Sequence, residues 1–368
     1  MRVLILGGYG NFGQIIARHL HTIAGIELII AGRNLVKAQQ FAGTINAEAI
    51  QLDANQADLA TILKHQQINL LISTAGPFQG QNYAVAEAAI EAKTHYIDLA
   101  DGREFVCGIK TLHKQALKQN VLVCAGASSV PGLSSAVINE LLPRFAALRR
   151  IEIGISTSEK IPGKSTIEGM LAYCGKPIKQ WIDGAWQDRF GWQDLYTHQF
   201  SEPVGKRSLA ACEVPDLSLF VEHYKGVDTV TFSAGTGLKL THYGTWLFSW
   251  LIRYGLISKP QKYAAMLHKN SLRLERFGDG NSAMYIQLTG LDKDQKPLKL
   301  VWELIAEAND GVNIPCLSSV ALTRKLLAGK LVARGAMSSM GLLTLDEYLA
   351  ELAGLHITTK LHELYPFS

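Results

Sequence analysis

Gly8-x-Gly10-x-x-Gly13 follows an apolar run at residues 3–6 and opens a helical pattern over residues 12–21, with a further glycine at Gly7. Each glycine has a physical reason. Gly8 allows a tight turn, Gly10 lets a pyrophosphate reach the backbone with no Cβ in the way, and Gly13 lets the helix lie close to the strand. The helix start at Asn11 and Phe12 then presents N–H groups and the positive end of the helix dipole to the phosphates. A glycine-rich turn without a ligand is the competing explanation, but the strand–turn–helix setting favours a dinucleotide site.

The pattern around this motif supports the same fold. Apolar strands at residues 27–31, 49–52, 69–73, 95–99 and 121–124 alternate with helical segments, the signature of a parallel α/β sheet. Near residues 128–135 the pattern changes. A helix is expected over 133–145 and a strand over 151–157, and beyond them apolar and polar residues alternate as in an antiparallel sheet with one wet face. Residues 284–290 and 298–304 predict a hairpin turning through 292–297. Residues 181–205 are aromatic and irregular and are expected to form a lid or arm; helices follow at 317–328 and 345–352. The expected division is a Rossmann domain over 1–128, an α+β substrate and dimerisation domain with a mixed or antiparallel sheet over 129–315, and C-terminal helices over 316–368 returning to the first domain.

The end of the second strand bears on cofactor choice. NAD sites usually carry an acidic residue there for the ribose 2′-OH. This chain has Ala31-Gly32-Arg33-Asn34, with Lys37 one turn on. No carboxylate repels a phosphate, and a guanidinium can pair with one bidentately, so NADP(H) is expected in preference to NAD(H). Asp53, after the third strand, is read either as an acceptor for the adenine amino group or as a helix cap. Ala75-Gly76-Pro77-Phe78, after the fourth, is read either as a wall for the nicotinamide ribose and ring or as a plain turn before a helix.

Composition narrows the function. With 48% hydrophobic and 18% charged residues in 368, the chain can build two cores, and its net charge of +4 is too small and scattered for a nucleic-acid binder. Five cysteines lie far apart without a CxxC pair, which reads as reduced thiols and neither a disulfide framework nor a metal site. The first residues read as a strand and not a signal peptide. The stretch 246–257 is apolar and aromatic but too short to span a bilayer. It is expected to be buried or to join two copies, and membrane association is not expected.

These motifs together resemble the saccharopine dehydrogenase-like oxidoreductases, through GGYGNFG (7–13), AGR (31–33), LD (52–53), AGPF (75–78), HYIDLADG (95–102) and GASSVPGLSS (126–135). The likeness is specific to about residue 140 and architectural beyond it. It implies a Rossmann domain followed by an α/β domain whose sheet covers the nicotinamide, with helices returning to the first domain. It also implies cofactor contacts from the glycine motif, Arg33, Asp53 and residues 75–78. Such a likeness points to a chemistry more than to a metabolite.

Hydride transfer needs an electrophilic bond beside the cofactor and a proton source. Asp98 and Tyr96, at the end of the fifth strand, are the candidate catalytic pair; for Asp98 a structural role bonded to backbone amides is the alternative. Ser128, Ser129, Gly132 and Ser134 precede a helix and are candidates for seating a substrate carboxylate, with simple capping as the competing role. The expected protein is a cytoplasmic, homodimeric NADP(H)-dependent oxidoreductase acting on a small polar molecule such as an imine or amino-acid adduct. The alternatives are an enoyl-type reductase of a lipid-like substrate and a non-catalytic NADP(H) sensor.

Overall fold

The computed structural model describes residues 1–158 and 163–364. The chain forms two compact units. One comprises Met1–Ala136 and Asn313–Glu351; the other comprises Val137–Val312 and the residues from Leu352 onward.

The first unit is built on a parallel sheet of seven strands. Their order is Gly335–Ser338, Leu122–Ala125, His95–Asp98, Leu70–Ser73, Arg2–Leu6, Glu27–Gly32 and Glu48–Gln51. Val3, Leu4 and Ile5 are wholly buried, as are Leu70, Leu71 and Ile72, because helices cover both faces of such a sheet. Strand order reverses between Arg2–Leu6 and Leu70–Ser73, which pair in parallel. Such a reversal opens a crevice at the carboxyl ends of the two strands. The seventh strand, Gly335–Ser338, comes from the C-terminal part of the chain and was not expected from the sequence.

Asp98 and Tyr96 lie in this sheet's core, and Asp98 has the backbone-amide contacts of the structural alternative. Asp98 is 0% exposed and Tyr96 1%. Asp98 Oδ1 accepts from the N–H groups of Ala100 (2.9 Å) and Gly126 (2.8 Å), and its carbonyl accepts from Ala127 N–H at 2.7 Å. The carboxylate thus ties together the loops that leave two neighbouring strands. Its Oδ2 is buried without a hydrogen bond of good geometry, although the nearby Tyr96 hydroxyl favours the ionised form. Burial outweighs these contacts and pushes the Asp98 carboxyl up to about 6.

The second unit is a mixed sheet with helices packed on it. Its main path runs Tyr196–Gln199, Lys206–Ala211, Thr229–Thr236, Phe145–Thr157, Ser282–Asp292, Pro297–Ala306 and Ile357–Leu364. Thr229–Thr236 and Phe145–Thr157 pair in parallel, whereas the other neighbours on this path are antiparallel. The expected hairpin is present: Ile286 lies opposite Trp302, and Asp292 Oδ1 closes the turn by accepting from the N–H groups of Asp294 and Lys296, both at 2.8 Å.

Three expectations change here. The helix expected over 133–145 ends at Leu141, and Phe145 already begins a long strand. Residues 181–205 are not an irregular arm: Pro177–Ile182 and Ala185–Phe190 form a hairpin, and Tyr196–Gln199 joins the main sheet. In the C-terminal region the helices Ile314–Leu327 and Leu345–Leu349 lie in the first unit, but Ile357–Leu364 is a strand of the second, paired with Pro297–Ala306. Residues 365–368 of that region lie outside the described residues.

Ile286 is fully buried, between Ile153 on one neighbouring strand and Trp302 on the other. Ile286→Ala should lower the stability of the second unit by about 2–5 kcal/mol, read as an earlier denaturant midpoint. Asp98 gives a pH test. A carboxyl with a folded-state pKa above its unfolded value favours folding in acid and loses that advantage as pH rises through about 6. Asp98→Asn keeps the acceptor oxygen but cannot ionise. Wild type should therefore lose roughly 3 kcal/mol relative to this variant between about pH 4 and pH 7. A difference that stays flat with pH would contradict the assignment.

Candidate cofactor site

The crevice at the strand reversal of the first unit holds a cavity of about 560 Å³. That lies within the roughly 300–1,000 Å³ of small-molecule sites. Its wall is contributed by four successive strand ends: Gly7, Tyr9 and Gly10 after the first, Gly32 and Arg33 after the second, Asp53–Asn55 after the third, and Thr74–Gly76 after the fourth. Leu6, Leu52, Gly80, Gln81, Asn82 and Val85 also line it.

The glycine loop is held by backbone bonds. Gly7 and Gly8 N–H both donate to Ala31 C=O (2.9 and 3.1 Å), and Thr74 donates to Leu6 C=O from its N–H (2.9 Å) and its hydroxyl (3.0 Å). The left-handed turn residue is Gly7, at φ +80°, and not Gly8. A Cβ on Gly7 would also lie 2.7 Å from Thr74 Oγ1. Gly8 instead lets the loop lie against the sheet, since its Cβ would lie 2.8 Å from Ile5 C=O and 3.0 Å from Ile30. Gly13 has the helix-packing role expected of it: a Cβ there would lie 2.6 Å from Gly8 Cα and overlap Gly7 C=O.

The helix Asn11–His21 starts at Gly10 with no side-chain cap and no acidic residue in its first turn. A helix start with no side-chain cap and no acidic first turn, beside an exposed glycine, suits a phosphate. These residues fit the pyrophosphate of a dinucleotide on geometry alone.

Tyr9 has a place that the sequence reading did not give it. Its ring lies against Gly32 so closely that a Cβ there would overlap it, and its hydroxyl accepts from Asn34 N–H at 3.1 Å. The loop and the end of the second strand are therefore coupled through one side chain. Asn34 caps the helix Leu35–Gly43, accepting from Lys37 N–H at 3.0 Å, and does not line the cavity. Arg33 is exposed at the cavity wall, and among the described residues its guanidinium is in no ion pair.

Asp53 shapes its own turn: Oδ1 accepts from Asn55 N–H at 3.0 Å, so it is neither a plain helix cap nor free in both oxygens. Ala75 and Gly76 line the cavity, held by Gln81, whose Nε2 donates to Ala75 C=O (3.0 Å) and Pro77 C=O (2.6 Å). Gln81 is the second residue overlooked in the sequence. Phe78 is no wall: it is 6% exposed and packs on Phe105, with ring centroids 5.3 Å apart. Asn11, Phe12 and Pro77 are likewise not part of the cavity wall.

Ser128, Ser129, Gly132 and Ser134 are buried. Ser128 C=O accepts from Ser318 Oγ at 2.8 Å, and a Cβ on Gly132 would lie 3.2 Å from Ser318 Cβ. The segment packs on the helix Ile314–Leu327, so its observed partners are protein groups, not an anion seat.

Residues 3–124, about a third of the chain, match the family described as the saccharopine dehydrogenase NADP binding domain. No curated protein matches the chain by sequence. Among solved structures the chain is similar to apo saccharopine dehydrogenase (L-Glu forming) from Saccharomyces cerevisiae, with a TM-score of 0.69 at 15% identity, covering 98% of this chain and 99% of that one. It is also similar to a homospermidine synthase from Legionella pneumophila in complex with NAD, with a TM-score of 0.64 at 12% identity, covering 99% and 91%. At such identities the likeness is one of fold, and it extends over both units. The domain match falls on the strands that build the cavity, so residues 3–124 resemble a dinucleotide-binding domain, and the whole chain shares the fold of these two structures.

Proposed function

We propose that the chain is an NADP(H)-dependent oxidoreductase that moves a hydride to or from a small polar substrate of the imine or amino-acid-adduct kind. The observation that carries the cofactor preference is Arg33. It is exposed at the cavity wall and, among the described residues, in no ion pair, where a site for NAD(H) usually places a carboxylate. Tyr9 fills the space over Gly32 and so bounds the position beside the guanidinium. A bound nicotinamide cofactor supplies the hydride. In this reading, Gly7 and Gly10, at the N-terminus of the first helix, hold its pyrophosphate. Arg33 takes the 2′-phosphate, and the small residues Thr74–Gly76 leave room for the nicotinamide ribose. The substrate class rests on the resemblance to the saccharopine dehydrogenase-like family.

Titration of wild type and Arg33→Ala with NADPH and NADH tests the proposal. Wild type should bind NADPH more tightly. The variant should lose about 10–100-fold in NADPH affinity, as loss of a charge-assisted pair implies, with NADH affinity unchanged. Equal or tighter binding of NADH by wild type would overturn the assignment to NADP(H).

A further inference from the structure

The helix Lys239–Arg253 is amphipathic in the wrong sense for a surface helix. A helix on a soluble domain normally turns its apolar stripe to the core and its polar face to water. Here the buried residues are His242, Ser249 and Ile252, while Leu240 is 70% exposed and Leu247 56%. Tyr243 and, just past the helix, Tyr254 are exposed as well. The spacing 240, 243, 247, 254 puts these four on one outward stripe. His242 fits its burial poorly: neither ring nitrogen has a hydrogen-bond partner, and burial lowers its pKa to about 4. Core packing through Ile252 and Phe248 therefore does not explain the outward stripe.

The neighbouring helix Ala264–Leu274 extends the feature. Phe248 meets Tyr263, with ring centroids 5.8 Å apart, and Phe248 and Leu267 pack on one core cluster that includes Ile252 and Ala264. Met266 and Leu272 stand half-exposed on the outside. Charge is the second observation. Residues 238–274 contain six lysines and arginines and no aspartate or glutamate. All six cations are exposed, and among the described residues none pairs with a carboxylate.

We propose that this face of the second unit docks on an anionic phospholipid surface. The stripe of Leu240, Tyr243, Leu247 and Tyr254 would enter the headgroup–acyl boundary, while Lys239, Lys259, Lys262 and Lys269 meet the lipid phosphates. Leucine and tyrosine beside unopposed cations match the composition of interfacial segments. Among the described residues no helix is long and apolar enough to cross a membrane, so the face lies on the bilayer and does not span it. A second copy of the chain suits the face less well. A twofold contact would set this acid-free patch against itself and bring like charges together. Of residues 246–257, expected to be buried or to join two copies, Ser249 and Ile252 are buried, whereas Leu247, Tyr254 and Leu256 are exposed in the single chain.

Flotation of the full chain with vesicles of phosphatidylcholine alone, and of phosphatidylcholine with phosphatidylglycerol, tests this. Wild type should float with the anionic vesicles at least about 10-fold more than with the neutral ones, and high salt should weaken that binding. A Leu240→Asp/Leu247→Asp variant should stay unbound while keeping its melting temperature and NADPH affinity. Lys259→Glu/Lys262→Glu, which removes no apolar contact, should also reduce flotation and decides the matter if the first variant misfolds. Failure of wild type to float with anionic vesicles would overturn the proposal. So would a dimer in sedimentation that Leu247→Asp splits.

Discussion

Everything at the candidate site depends on how closely the backbone of residues 7–13 approaches the sheet. Gly7 and Gly8 share the carbonyl of Ala31, and the Thr74 hydroxyl packs against the face of Gly7 where a side chain would stand. Those contacts draw the ends of three strands together around one loop. With Gly13 seated against Gly8, the first helix begins at the edge of the crevice, and its uncapped N-terminus becomes part of the cavity's electrostatics. A single methyl group at Gly7 or Gly13 would require the loop to move. The backbone shape of the loop is thus set by packing before any side chain acts.

The second unit follows a different rule. Its long central strand Phe145–Thr157 pairs on both sides, and Ile286 and Leu288 are buried on one face of the sheet. The opposite face carries the cluster of Phe200, Leu209 and Tyr285. The edge strand Ile357–Leu364 is secured partly by polar contacts. Glu303 is 4% exposed, accepts from Ser201 Oγ at 2.6 Å and lies 3.2 Å from His362 Nε2. A buried carboxylate needs such partners, and they also hold the edge of the sheet.

What could be read from the sequence was what leaves a local mark. Strands buried on both faces appear as unbroken apolar runs, the hairpin over 282–306 appears as strict alternation, and the glycine loop appears as missing side chains at fixed spacing. Gly335–Ser338 is four residues (Gly-Ala-Met-Ser) without a pattern, and Ile357–Leu364 is an exposed edge without a buried face, so neither announced itself. The hairpin at Pro177–Phe190 did carry a signal that was passed over. Asp183-Gly184 both take positive φ, as a two-residue hairpin turn needs. The site was partly legible for the same reason. Gly10, Arg33, Asp53, Ala75 and Gly76 line the cavity. Tyr9 and Gln81 act through contacts with distant backbone, and residue type alone could not place those. Phe78 and Asp98 stand at strand ends but are buried, which residue type alone did not announce.

Hydrogen exchange of the full chain with and without saturating NADPH tests the central claim most directly, that the loop at the strand reversal holds the dinucleotide. Slower exchange is expected in residues 7–14, 31–34 and 74–82, the segments that build the cavity. Unchanged exchange in those segments under saturating NADPH would contradict the account.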